Sequence, residues 1–354
     1  MKHTFIILLG LLVLASCQNS SKNKAGVSTS NVSLTAAGAT FPMPYYNMVF
    51  KMYTDAFGTQ ITYGGIGSGG GIRSLTDKVV DFGASDAFLE DAKLAEIPAE
   101  VVHIPTCMGA VVIAYNLPGV DGLKLSSELL EKIFLGEITK WNDAEIAKNN
   151  EGLSLPNQNI TVVYRSDGSG TTQIFSDYMT KIGAKWAEKV GAGKSLNWPV
   201  GIGAKGNPGV AGTIAATVGT IGYIGSEYSF SMKIQNALVA NKAGNYVEPS
   251  IASISAAAQG SIPDDTRVML TNSDNPESYP ISGFTWIILY KEQAYNNRSL
   301  EQATATVKLL DWLISKDAQS VAEKVHYAPI PEATVVKAKN ILKSITFEGK
   351  SILN

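Results

Sequence analysis

The stretch RSDGSGT, residues 165–171, sets an arginine, an aspartate, a serine and a threonine among glycines. Arg165 offers a planar fork of donors that suits a tetrahedral oxyanion. Ser169, Gly170 and Thr171 add hydroxyls and backbone amides where an apolar, helix-like run begins. The first turn of a helix has free N–H groups and a favourable field for an anion. A plain helix cap uses only one such side chain, so the stretch reads as a cap or as an anion cradle. Three other junctions carry similar groups. AGATFP closes a small-residue strand at Ala39 and places Thr40 and Phe41 before a helix with Pro42 and Pro44 in its first turn. GIGSGGG sets Ser68 among glycines that let backbone amides come close to a ligand. DFGASDA ends a strand at Asp86. At Thr40 and Asp86 the plain alternative is again a helix cap.

Other chemistries fit less well. Gly65-x-Gly67-x-x-Gly70 matches a dinucleotide-binding turn, with Asp86 about twenty residues on, but the preceding QITY is polar for a buried first strand. Asp81 and Asp86 without a histidine neighbour make a poor transition-metal site, and no EF-hand spacing is present, so no metal is expected. Of three histidines, only His103 and His326 lie in the body of the chain. No G-x-S-x-G elbow surrounds Ser68 or Ser169. VGAGKS, residues 190–195, ends like a phosphate-binding loop, yet Glu188 stands where its first glycine belongs. Neither a catalytic residue nor a cofactor is expected.

The elements that must position these groups alternate in the α/β manner. Strands are predicted over 32–39, 60–65 and in VVDFGAS, with helices from Pro42 to Ala56 and from Ile72 to Lys78. VVHIPTCMGAVVIAYN reads as a long extended run broken near Met108, and Cys107 within it as a buried small hydrophobe. SSELLEKIF carries a serine cap and ends at Gly136. NITVVYRS, TIGYIGS, ALVAN and FTWIILYK are further strands, and the last 55 residues read as helices. A folded body of over 300 residues favours two domains.

The chain opens MKHTFIILLGLLVLASC. The apolar run is too short for a membrane span, which needs about twenty residues, and fits a signal peptide. Leu14-Ala15-Ser16-Cys17 resembles a bacterial lipobox, which makes residues 1–16 the signal, Cys17 the lipidated residue and 17–31 a polar tether. Loss of Lys2 leaves 28 of 29 basic residues against 31 acidic ones, a charge of −3. That balance argues against binding nucleic acid by phosphate neutralisation. It also requires any anion site to act through local groups.

Taken together, AGATFP, GIGSGGG, DFGASDA and RSDGSGT resemble, in order and spacing, the phosphate-binding proteins that feed bacterial phosphate ABC importers. LGEITKWND (135–143), GIGAKGNPGVA (201–211) and GTIGYI (219–224) extend the resemblance from about Leu34 to the end. It implies a periplasmic-binding-protein fold, two α/β domains with a ligand cleft between them. The domains implied are 32–114 plus 284–354, and 115–283. The ligand contacts implied are Thr40, Phe41 through its N–H, Ser68, Asp86, Arg165, Ser169, Gly170 and Thr171, with Asp167 orienting Arg165. Gly69 stands where the family often has a second serine. The function implied is high-affinity capture of inorganic phosphate outside the cytoplasmic membrane and delivery to the permease, by a monomer held to the membrane through Cys17. The alternatives are a phosphatase or hydrolase using a loop serine, and a binding protein for another oxyanion such as sulfate or molybdate.

Overall fold

The computed structural model describes residues 32–353. The expected signal, Cys17 and the tether lie outside the described residues, and no helix within them is long and apolar enough to cross a membrane. The strands in chain order are β1 (Ser33–Gly38), β2 (Gln60–Gly65), β3 (Phe82–Ser85), β4 (Val101–Tyr115), β5 (Lys124–Leu125), β6 (Thr161–Arg165), β7 (Ile202–Ala204), β8 (Thr220–Gly225), β9 (Gln235–Asn236), β10 (Leu238–Ala240), β11 (Tyr246–Val247), β12 (Ser282–Tyr290), β13 (Thr346–Phe347) and β14 (Lys350–Ser351).

A continuous path of pairing runs β2-β1-β3-β12-β4-β8-β6-β7. It forms two α/β lobes. In the first lobe β1 pairs parallel with β2 and β3, while β12 lies antiparallel between β3 and β4. In the second, β6 pairs parallel with β7 and β8. The lobes share β4, which pairs with β12 over Val101–Ala110 and with β8 over Val111–Tyr115. The Val111 N–H donates to the carbonyl of Ile281, just before β12 begins, so the two chain crossings lie side by side.

The break expected near Met108 is therefore not a break. A register shift between Thr285 and Trp286 of β12 absorbs one residue of β4 near Thr106, and the strand bends without losing its ladder. Nearly every residue of β4 and all of β12 are buried, which explains their continuous apolar reading. Cys107 is buried and unpaired. The helix expected from Ile72 starts four residues earlier, at Ser68, because three glycines that read as a turn occupy its first turn instead. The C-terminal stretch holds helices Leu300–Leu313 and Glu332–Lys343, but ends in a hairpin at Thr346–Phe347 and Lys350–Ser351 rather than in helix.

Aromatic packing fixes the ends of the strands that matter. In the first lobe Tyr46 stacks on Phe50 at 5.1 Å and meets Tyr63 edge-on. In the second, Phe175 stacks on Tyr223 at 4.4 Å, and Trp198 packs against both Tyr164 and Tyr223. Burial of such rings contributes several kcal/mol per side chain. It anchors β6 just before Arg165.

Candidate functional site

The groups singled out from sequence meet where the lobes touch. β1 leads into Thr40 and Phe41, β3 into Asp86, and helix Ser68–Thr76 begins beside them; all are contributed by the first lobe. β6 ends on Arg165 and helix Gly170–Ile182 starts at the following turn, in the second. Thr40, Phe41, Ser68, Asp86, Arg165, Ser169 and Thr171 are all buried.

The contact between the lobes is close and polar. Ser68 Oγ accepts the Gly170 N–H at 3.0 Å and the Asp86 N–H at 3.3 Å. The Gly69 N–H donates to the Gly168 carbonyl at 2.8 Å. A Cβ on Gly170 would lie 2.5 Å from Ser68 Oγ and 2.8 Å from the Asp86 nitrogen, so only glycine fits there. A Cβ on Gly69 would lie 3.2 Å from the Gly168 Cα. That close approach gives a physical reason for glycine at 69.

Arg165 is fixed from three sides. Its Nε and Nη2 donate to the two oxygens of Asp167 at 2.7 and 2.6 Å, and Nη1 donates to Thr171 Oγ1 at 3.3 Å. Asp167 Oδ1 also accepts the Gly206 N–H at 3.0 Å. Burial works to raise the Asp167 carboxyl, but the guanidinium and the Gly206 amide outweigh it and hold the group below the usual range. Ser169 caps its helix, accepting the Thr172 N–H at 3.0 Å. Thr40 does not cap the helix Met43–Phe57, which has no side-chain cap; its hydroxyl faces the second lobe instead. The Phe41 and Thr40 carbonyls are taken by the hydroxyls of Tyr327 and Tyr228, so their loop is held on its carbonyl side.

Asp86 is the one site carboxylate on the first lobe. It caps no helix: its Oδ1 accepts the Thr285 hydroxyl at 2.8 Å. Burial pushes its carboxyl up to about 7, against the opposing pull of Thr285, Arg165, Ser68 and Lys194. Asp81 belongs elsewhere. It accepts the Thr35 N–H and pairs with Arg298.

Several residues of the cluster had not been singled out. Asn207 Nδ2 donates to Thr40 Oγ1 at 3.2 Å and to Thr171 Oγ1 at 3.0 Å, joining the lobes. Thr285 arrives from β12, 199 residues from Asp86 in sequence. Lys194 contributes its carbonyl to the Ser169 N–H and a positive charge felt by Asp86. Tyr223 accepts the Arg165 N–H at 3.1 Å. Asn207 sits in KGNPG at a helix start, a position of the same kind as the four junctions. Thr285 lies mid-strand in FTWIILYK and carried no local mark.

The larger surface hollows lie away from this cluster. One of about 580 Å³ is lined by Phe230, Lys233, Ile251 and His326. The buried cluster, with its converging donors, is the better candidate for a small anion; the hollow is shaped by apolar side chains.

A PBP superfamily domain matches residues 23–317. The phosphate-binding protein PstS of Xylella fastidiosa (strain 9a5c) is 36% identical over 347 residues, covering 93% of each chain. Its counterpart in Pasteurella multocida is 39% identical over 316 residues, covering 88% of this chain and 90% of that one. The chain belongs to the PstS phosphate-binding proteins of the PBP superfamily. The fold agrees: an ABC-type phosphate transport receptor from Vibrio cholerae superposes with a TM-score of 0.55 at 18% identity, over 84% of this chain and all of that one.

Proposed function

We propose that the chain captures inorganic phosphate between its lobes, outside the cytoplasmic membrane, and delivers it to an ABC importer. The observation that carries this reading is the meeting of buried donors from both lobes, with a single guanidinium on one side and a single acceptor carboxylate on the other. Thr40, the Phe41 N–H, Ser68, Ser169, Thr171 and Arg165 supply the donors, with Asp167 fixing the guanidinium, and the Gly170 N–H, which donates to Ser68 Oγ in this structure, joins them by turning from Ser68 to the ligand. Each hydrogen bond to a charged group contributes about 1.5–3 kcal/mol net. Several of them offset the desolvation of a small dianion. Asp86 accepts only from a ligand that still carries a proton, which phosphate does at neutral pH and sulfate does not.

Binding rather than catalysis is supported by the partners of the loop serines and the histidines. Ser68 and Ser169 accept from backbone amides. His103 Nε2 accepts the Leu89 N–H, with burial lowering its ring to about 3, and His326 packs on Phe230. A boundary within β4, as in the domain limits 32–114 plus 284–354 and 115–283, is supported by the change of its partner, although that change falls after Ala110 and gives 111–114 to the second lobe's sheet. Lipid on Cys17 would hold the protein, as a monomer, at the membrane near the permease, and the order of basic, apolar and small residues before Cys17 supports it.

Titration calorimetry on lipid-free protein stripped of ligand tests the reading. Heat of binding is expected with phosphate and none with sulfate at neutral pH. No phosphate heat would remove the proposal. A chromogenic phosphoester should show no turnover above buffer.

A further inference from the structure

Asn207 makes the hydrogen bonds that decide what two of the site hydroxyls can do. Its side-chain oxygen accepts the Gly225 N–H at 3.0 Å, which fixes the orientation of the amide and turns its NH₂ towards the lobe contact. The two protons of that NH₂ go to Thr40 Oγ1 on the first lobe and Thr171 Oγ1 on the second. The Asn207 backbone N–H also donates to Thr40 Oγ1, at 3.1 Å. Thr171 Oγ1 receives its other N–H from Arg165 Nη1. A hydroxyl oxygen has two lone pairs and one proton. At both threonines the lone pairs are occupied by N–H groups, so the proton is what remains to be offered.

Resting on the phosphate reading above, we propose that Asn207 is a positioning residue that forces the Thr40 and Thr171 hydroxyls to act as donors to the bound anion. Left free, a threonine hydroxyl can accept as readily as it donates, and an anion gains only from a donor. Asn207 is itself completely buried and needs no contact with the ligand to do this. Because it bridges both lobes, it brings the two hydroxyls into one orientation only when the lobes meet. The donor set is therefore completed by closure.

The test is a thermodynamic cycle in phosphate affinity, measured by calorimetry, with ligand-free melting as a check on folding. Asn207→Ala should weaken phosphate binding roughly tenfold to a hundredfold. In a Thr40→Val, Thr171→Val background the same change should cost less than about threefold, because the hydroxyls it acts through are gone. An equal loss in both backgrounds overturns the proposal and leaves Asn207 a packing residue. Asn207→Asp should bind more weakly than Asn207→Ala, since a carboxylate draws both hydroxyl protons away from the anion; binding tighter than Asn207→Ala also overturns it. Should the variants fail to fold, a neutron structure of the wild-type phosphate complex decides. The deuterium atoms of both threonine hydroxyls should lie on lines to phosphate oxygens, and either one directed at Asn207 ends the idea. If wild-type protein binds no phosphate at all, the functional reading fails, which is a separate result.

Discussion

Arg165 and Asp86 stand on opposite lobes and are held in different ways. The guanidinium is fixed by three side-chain bonds formed within the second lobe, so its position is set before any ligand arrives. The Asp86 carboxyl accepts the Thr285 hydroxyl, Ser68 also favours its charged form, and burial raises it to about 7, so at neutral pH the ligand-free group is divided between acid and accepting carboxylate. The second lobe thus offers a ready-made cationic face. The first offers a group whose proton depends on surroundings. On the proposed phosphate reading, the difference separates attraction from discrimination, and each can be removed by itself.

The largest effect is expected at the attracting side. Arg165→Ala should weaken phosphate binding by ~3–5 kcal/mol, since it strips a buried, hydrogen-bonded charge and leaves Asp167 unpaired. Calorimetry measures this, and near-wild-type affinity would mean that the second lobe's role is misassigned. At the discriminating side, Asp86→Asn should cost phosphate about 1.5–3 kcal/mol while admitting sulfate, because an amide can donate where the carboxylate could only accept. An unchanged ratio of phosphate to sulfate affinity would collapse the distinction between the lobes.

Asp86 also predicts a pH dependence of the ligand-free protein. Its folded-state value near 7 is above the ordinary 3.8, so the native state holds a proton that the unfolded chain releases. That stabilisation is complete below about pH 4 and is lost as pH rises to about 7. The slope is about 1.4 kcal/mol per unit for one proton. Glu227 is also fully buried, and its burial raises it in the same direction. Denaturant melts at a series of pH values should therefore show a falling contribution, and Asp86→Asn should remove one proton of it. A slope that the substitution leaves untouched would contradict the buried, near-neutral carboxyl. The smallest effect is expected at Gly69→Ser. The new Cβ presses on the Gly168 backbone at 3.2 Å, and closure should be penalised by ~1 kcal/mol. Binding as tight as wild type would mean that the loops move apart to admit it.

The same contrast decides what was legible. The attracting face lies within seven consecutive residues, and RSDGSGT carries Arg165, its partner Asp167 and the helix start together. Local chemistry could be read there because the contacts are local. Asp86 was visible as a strand-end acid, but its environment was not, since Thr285 reaches it from a strand 199 residues away. Asn207 was hidden for a related reason. Its bonds to Thr40 and Thr171 span 167 and 36 residues. The alternation of elements was readable, while the start of the helix at Ser68 was not, because three glycines disfavour helix by propensity and only packing against Gly38 and Ala84 requires it. At β4 an unbroken ladder was concealed by its own bulge.

The position of β12 has a consequence for how the polypeptide is built. Its nine residues fill the gap between β3 and β4, so the sheet begun by the earliest strands stays in two pieces until residues 282–290 have been made. The lobe begun first in synthesis is thus the one whose sheet is completed late, and it is expected to finish folding after the second lobe. Pulse-labelled hydrogen exchange during refolding should find amides of β6 and β8 protected before those of β1 and β3, and the reverse order would contradict it.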